Sequence, residues 1–393
     1  MSEWQTVAIG EICDLVTSGG TPLTSQKEYY HNGSIPWVKT KEVNQCRLYG
    51  TENHITQLGL DNSSAKLIPE NSIIIAMYGD GKTAGRVALN KVPVTTNQAC
   101  CNLILNKQKA NYDFVFYNLM GRYDELVSKK TGSGQQNLNG KIIKEIEIDL
   151  PSLPEQKAIA SVLSSLDDKI DLLHRQNKTL EAMAETLFRQ WFIEEAKEDW
   201  EDKPLSSIAT FTNGLACQKY PPQPNEPKLP VLKIKDLTSG ISDSSDWATA
   251  NVDPKYIVNH GDVIFAWSAS LMVKIWSGET CVLNQHLFNV TSDEYPKWFF
   301  YQWCKYHLEE FISISQSHAT TMGHIKRKDL DEAIVKVPSQ PTLQEMTTSF
   351  EPLMDKLITN LKQIQTLEKL RDTLLPKLMS GEVRVQYQTE DVA

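Results

Sequence analysis

Pro151-Ser152-Leu153-Pro154-Glu155-Gln156 opens a stretch that runs to Trp191, and Pro338-Ser339-Gln340-Pro341-Thr342-Leu343 opens a second copy that runs to Leu378. The two copies align without a gap at an offset of 187 positions. Asp168-Lys169 falls on Asp355-Lys356, Thr179-Leu180-Glu181 on Thr366-Leu367-Glu368, and Thr186-Leu187 on Thr373-Leu374. A period this long marks a duplicated unit rather than a solenoid of short repeats.

Each copy reads as a helix with a coiled-coil seam. Ile159, Leu163, Leu166, Ile170, Leu173, Asn177, Leu180, Ala184, Leu187 and Trp191 alternate steps of four and three, the period of a and d positions. Met346, Phe350, Leu353, Leu357, Asn360, Ile364, Leu367, Arg371, Leu374 and Leu378 repeat the seam. Each copy carries one Asn in it, a residue that costs stability and restricts register. Ser152 and Glu155 have capping-box spacing, with Pro154 in the first turn. The second copy has Thr342 in place of that Glu and Pro352 in its interior. A kink near Pro352, or a helix regular only beyond it, is expected.

The four segments read from the chain are residues 1–150, 151–199, 200–337 and 338–393. Their net charges are 0, −4, −3 and −2, within a total of −9. The excess acid is thus concentrated in the helical segments, and each large segment has room for a basic face. In the first large segment, Ile35–Val38, Ser72–Met77, Arg86–Leu89 and Asn102–Leu105 read as strands and Tyr112–Val127 as a helix. A Gly/Ser/Gln/Asn loop, Thr131–Asn137, follows. The second large segment repeats the plan. Ile35–Lys41 has its partner in Leu229–Lys235, and Asn97-Gln98 has its partner in Asn284-Gln285. Lys297–Ile314 takes the place of the helix and Ser317–Lys328 that of the loop. The expected class is α+β: two repeated α/β domains and two long helices packed antiparallel.

The composition excludes several classes. The longest apolar run, Ile73–Met77, is far too short to span a bilayer, and the N-terminus shows no signal-peptide pattern. Seven cysteines without a CxxC spacing point to a reducing cytoplasm and no zinc site. Cys100-Cys101 reads as a strand touching two faces. Gly79-Asp80-Gly81-Lys82-Thr83 resembles the end of a phosphate loop, but Ala76 stands where that motif needs Gly. There is no HExxH, no GxSxG, and no Asn-Pro-Pro-aromatic or Asp-Pro-Pro-aromatic tetrapeptide of an amino-methylating DNA methyltransferase. No catalytic constellation is expected.

Three groups of residues resemble one known family. They are Leu150-Pro151-Ser152-Leu153-Pro154-Glu155-Gln156, then Gly261–Ser268 followed by Leu283-Asn284-Gln285-His286, and Leu374–Glu382. Together they resemble the specificity (S) subunit of type I restriction–modification enzymes, over nearly the whole chain. The resemblance implies two target-recognition domains, 1–150 and 200–337, each reading half of a split DNA sequence. It implies spacer helices, 151–199 and 338–393, that dock two methyltransferase (M) subunits, with a restriction/translocase (R) subunit as an optional further member. S-adenosylmethionine, ATP and Mg would then reside on partner subunits, and this chain would carry no cofactor and no catalysis. A coiled-coil scaffold binding only proteins is the alternative.

The DNA-binding candidates follow from chemistry. Lys39 and Lys41, like Lys233 and Lys235, alternate at a strand end and suit phosphates. Gln135, Gln136 and Asn137 suit adenine edges, with a polar turn as the plain reading. Lys326, Arg327 and Lys328 lie on the corresponding loop and suit phosphates. Lys82, Arg86, Lys129, Lys130 and Lys274 complete the set. Asn97-Gln98 and Asn284-Gln285 read as structural.

Overall fold

In the computed structural model the described residues are 4–79, 83–131, 137–242, 244–317 and 323–386. The chain forms two compact units. One contains residues 1–168 and 369–393, the other residues 169–368. The unit boundaries therefore fall inside both long helices, Leu153–Arg189 and Gln340–Met379, and not at their ends.

The first unit is built on a five-stranded sheet in the order Cys13–Ser18, Cys100–Leu105, Ile73–Ala76, Val87–Asn90, Cys46–Leu48. A smaller sheet sets Ile35–Val38 between His54–Ile55 and Thr95–Thr96, running parallel to the latter. Gln5–Ala8 pairs antiparallel with Glu147–Leu150 just before the first long helix. Cys100 packs in one hydrophobic cluster and Cys101 in another, as expected of neighbours on a strand covered on both faces. Burial pushes the Cys101 thiol up to about 12.

The second unit repeats this plan. Its sheet orders Thr210–Asn213, Leu287–Thr291, Val263–Ala266 and Met272–Ile275. Its smaller sheet again contains a parallel pair, Lys228–Leu232 with Cys281–Leu283. Glu201–Pro204 pairs with Ile334–Val337 before the second long helix. Among the described residues the first unit alone has an extra edge strand, Cys46–Leu48, parallel to Val87–Asn90.

Each expected single helix beside the sheets is two. Tyr112–Met120 stops at Gly121, and Tyr123–Ser128 begins anew. At the break, the Arg122 guanidinium donates to the Glu147 carbonyl at 2.8 Å. In the second unit His307 separates Lys297–Tyr306 from Leu308–Ser317, and its ring lies 3.0 Å from the Ile334 carbonyl. In both cases a side chain at the break is held by the strand that leads into a long helix.

The long helices complete the cores, which is why each unit takes half of both. In the first unit Ile159, Leu163, Leu375 and Leu378 join Phe114, Phe116 and Tyr117 in one buried cluster. Arg371 has its own answer on the apolar seam: its Nη1 donates to Asp167 at 2.9 Å. The Tyr117 hydroxyl donates to the other Asp167 oxygen at 2.7 Å. Burial first, and then the Asp167 charge, pushes that phenol well above its ordinary range. Arg47, its side chain 3% exposed, pairs with Asp168. A buried charge is tolerable only with such partners. Glu155, at the expected capping-box position, is buried and takes Nη1 of Arg384 at 2.5 Å.

In the second unit Phe350 stacks on Trp298 with centroids 4.1 Å apart and meets the edge of Trp191 at 5.6 Å. Trp191 lies in a π-helical turn, Gln190–Glu194, that ends the first long helix. Ile170, Leu173 and Ile364 form a further buried group with Leu367 beside it. The Asn360 amide donates to Asn177 Oδ1 at 2.9 Å. Asn177 with Asn360, and Trp191 with Phe350, run in opposite senses along the two chains, so the helices pack antiparallel here. Every seam position from Ile159 to Trp191 and from Met346 to Leu378 is buried or half-buried. The second helix is unbroken from Gln340, and Pro352 is exposed within it. It does not become regular only beyond the proline.

The Asn177–Asn360 bond leaves Asn177 Nδ2 and Asn360 Oδ1 without hydrogen-bond partners among the described residues. Asn177→Leu or Asn360→Leu alone strands the remaining amide, and each should cost about 1–3 kcal/mol in a urea melt. The double variant should match or exceed the wild type. Losses that simply add would show that the two amides are not coupled.

Candidate nucleic-acid interface

The two parallel strand pairs end in the same way. In the first unit, Lys39 N–H donates to Glu42 at 2.9 Å, and Asn97 N–H donates to the Val38 carbonyl at 3.0 Å. In the second, Lys233 N–H donates to Asp236 at 2.9 Å, and Asn284 N–H donates to the Leu232 carbonyl at 3.2 Å. A glycine lets a neighbouring turn approach each end. A Cβ on Gly19 would lie 2.2 Å from the Thr96 carbonyl oxygen, and one on Gly214 would lie 2.2 Å from that of Asn284. The Asn of each Asn-Gln pair is thus tied to the backbone, as expected. The Gln beside it is not buried. Gln98 Oε1 accepts from the Thr21 hydroxyl, and Gln285 Nε2 lies 3.3 Å from His286 Nε2.

The lysines at these ends differ in freedom. The strand Ile35–Val38 stops before Lys39, so Lys39 and Lys41 do not alternate along it. Lys39 is half-buried, its ammonium 3.0 Å from Asn53 Oδ1 and over the Trp37 ring. Lys41 lies in a short 3-10 turn and pairs with Glu52 at 2.5 Å. Hydrogen bonding to Glu52 raises the Lys41 pKa. Lys233 pairs with Asp246, whose carboxyl that contact holds below its usual range. The strand Lys228–Leu232 likewise stops before Lys233, so Lys233 and Lys235 do not alternate along it either. Lys235 caps the short helix Asp236–Ser239 and is exposed, and no ion pair holds it among the described residues.

Lys326, Arg327 and Lys328 do not lie on a loop. They open the short helix Arg327–Glu332, with Lys326 as its cap residue. Lys328 pairs with Glu332 at 3.0 Å, and Arg327 donates to the Phe211 carbonyl at 3.4 Å. Lys326 is exposed, without an ion pair among the described residues. This helix is anchored beside the sheet, because Ile325 N–H donates to the Trp267 carbonyl at 3.1 Å. The first unit does the same through Leu138 N–H and Met77 at 2.9 Å.

Asn137 exchanges backbone hydrogen bonds with Thr131 at 3.0 Å. Lys82, Gln135 and Gln136 lie outside the described residues. Arg86 donates to Asn44, Lys129 pairs with Glu125 at 3.4 Å, and Lys274 donates to the Leu237 carbonyl at 3.1 Å. Lys130 is half-buried. No group of three or more His, Cys, Asp or Glu is placed to hold a metal among the described residues. No helix among them is long and apolar enough to cross a membrane.

Residues 1–182 and 197–369 match the model of the type I restriction modification DNA specificity domain. The chain is therefore a tandem of two DNA specificity domains. It is 31% identical over 418 residues to the type I restriction enzyme MjaIX specificity subunit of Methanocaldococcus jannaschii, spanning 98% of this chain and 94% of that one. The EcoKI specificity subunit of Escherichia coli K12 is 21% identical over 421 residues, covering 94% and 88%. A crystal structure of a type I restriction-modification S subunit from M. genitalium shares the fold, with a TM-score of 0.55 at 18% identity, covering 98% of this chain and 97% of that one. The chain belongs to the family of type I restriction–modification specificity subunits, and it is a DNA target-recognition subunit.

Engaged lysines have less to gain from a phosphate than exposed, unpaired ones. Lys235→Ala with Lys326→Ala should lower the slope of log K against log salt by about 0.9 for each phosphate lost. Lys41→Ala and Lys328→Ala should change it less. Salt titrations of duplex binding by the assembled complex test this. A slope untouched by all four changes would move the DNA face elsewhere.

Proposed function

We propose that each unit reads one half of a bipartite DNA target, and that the helices set the number of unspecified base pairs between the halves. The observation that carries this is the duplication: two specificity domains of one plan, each followed by a copy of one helix. One module discriminates only a few base pairs, each worth about 1–3 kcal/mol. Two modules held together multiply specificity without new kinds of contact. The chain itself performs no chemistry in this reading. Methyltransferase subunits carry S-adenosylmethionine, restriction/translocase subunits carry ATP and Mg, and the complex acts in the cytoplasm.

The helix surfaces support two copies of one partner. Met183 and Leu370, which the repeat places in register, are 49% and 44% exposed. Thr179 and Thr186 flank the first; Thr366 and Thr373 flank the second. All four hydroxyls donate to the carbonyl four residues back, at 3.1, 2.8, 3.0 and 2.7 Å. Their polar atoms are thus satisfied within the helix, leaving an apolar spot in each copy suited to a methyltransferase subunit. A duplicated surface accepts equivalent partners.

Two experiments test the reading. Co-expression with the methyltransferase partner in a host without other methylation, followed by mapping of modified bases, should show one sequence of two defined parts and an undefined spacer. A single uninterrupted target would contradict it. Met183→Glu or Leu370→Glu should each leave one methyltransferase subunit bound by native mass spectrometry, and the double variant none. Full occupancy of the double variant would remove these spots as docking sites.

A further inference from the structure

The second unit carries, beside its lysine-bearing strand end, a cluster without a counterpart among the described residues of the first. Trp267 follows the strand Val263–Ala266 and stacks on Phe288 with centroids 5.7 Å apart. Its indole N–H donates to Asn213 Oδ1 at 3.1 Å. An indole nitrogen only donates, so this contact fixes which end of the amide faces it. Asn213 is exposed, with one lone pair of Oδ1 engaged by Trp267 and its Nδ2, with two N–H donors, turned away from the indole.

Three further observations locate and stiffen this amide. Gly214, directly after it, permits the close approach to Asn284 already described. Ala269 adopts φ 58, a conformation L side chains seldom take and one that gathers at functional sites. Its N–H donates to the Gly323 carbonyl at 2.9 Å, which ties the Trp267 turn to the chain leading into Lys326. Asn213 is thus linked on one side, through Gly214 and Asn284, to the strand end at Leu232, and on the other, through Trp267, to Ile325, the residue before Lys326. The corresponding positions in the first unit are Ser18 and Met77, with neither amide nor indole.

Two units that read different half-sequences need different chemistry at corresponding places. We propose that Asn213 is a specificity-determining residue of the second unit, held by Trp267 so that it reads the N7/O6 edge of a guanine. An unrestrained Asn pairs with adenine through one donor and one acceptor. Here Oδ1 is turned to the indole and the donor end faces away from it, so an adenine amino group presented to that end would meet another donor. Guanine presents two acceptors at that edge. Trp267 is a positioning residue and touches no base. The inference rests on the reading of each unit as the reader of one half-target.

The test uses the complex with its methyltransferase partner and maps modified sequences for the wild type, Asn213→Ala and Trp267→Phe. Asn213 is exposed, so its truncation spares the core. Trp267→Phe keeps the stack on Phe288 and frees Oδ1. Asn213→Ala should reduce preference for guanine at one base pair by about tenfold or more, with the other half-site unchanged. Trp267→Phe should admit adenine at that same base pair. A target unchanged in both variants, or changed at different positions, would overturn the assignment. A wild type that marks no bipartite sequence would overturn the half-target reading, and the assignment with it.

Discussion

The packing of two copies of one helix against each other constrains everything else in this chain. Each unit's core is finished by residues from both helices: Ile159, Leu163, Leu375 and Leu378 in one, Ala184, Phe188, Phe350 and Leu357 in the other. Neither unit buries its apolar face with its own globular segment alone, residues 1–150 in one and 200–337 in the other. Helix pairing and module packing therefore share one core in each unit. This also explains why the compact units divide the helices near Asp168 and Glu368. The repeat is divided by sequence into module and spacer, and by energy into modules that include half of each spacer.

The same asymmetry runs through the cores. The first unit closes its seam with a charged set, Arg371, Asp167, Tyr117 and Arg47. In the second unit Ala184 and Met354 stand at the positions of Arg371 and Asp167, in an apolar cluster that includes the stacked Phe350 and Trp298. Removing one member of a buried ion pair is costly, while an apolar replacement of the whole set often is not. The two solutions are equivalent in burying the helices, yet not interchangeable residue by residue.

Much of this was legible in the sequence. The 187-residue offset, the alternating steps of four and three, and the paired Ile35–Lys41 and Leu229–Lys235 segments led to two α/β modules and two seamed helices. Periodicity is a local signal, and the misreadings came where a distant group intervened. Arg371 does lie on the seam as expected, but the partner that makes this tolerable, Asp167, could not be read from spacing. The helices expected as Tyr112–Val127 and Lys297–Ile314 break where the strands before the long helices take a side chain. Pro352 is tolerated within a helix on an exposed position. The basic candidates rest on charge and position along the chain, and neither reveals a partner: Lys41 and Lys328 already sit on glutamates. Asn213 gave no signal at all. Its chemistry comes from an indole 54 residues away, which no reading along the chain connects to it.

The Asn177–Asn360 contact has a consequence for how such a protein can be rebuilt by duplication. The two amides are not related by the repeat. Asn177 corresponds to Ile364, and Asn360 to Leu173, at the offset of 187. If two copies of the first half associated in the same antiparallel register, each Asn177 would face Leu173. Two copies of the second half would likewise set Asn360 against Ile364. Both arrangements bury an amide against a branched aliphatic side chain, twice over. Only the unlike halves bring amide to amide and Leu173 to Ile364. The halves of this duplicated chain have thus diverged into complementary pieces, each a poor partner for its own kind.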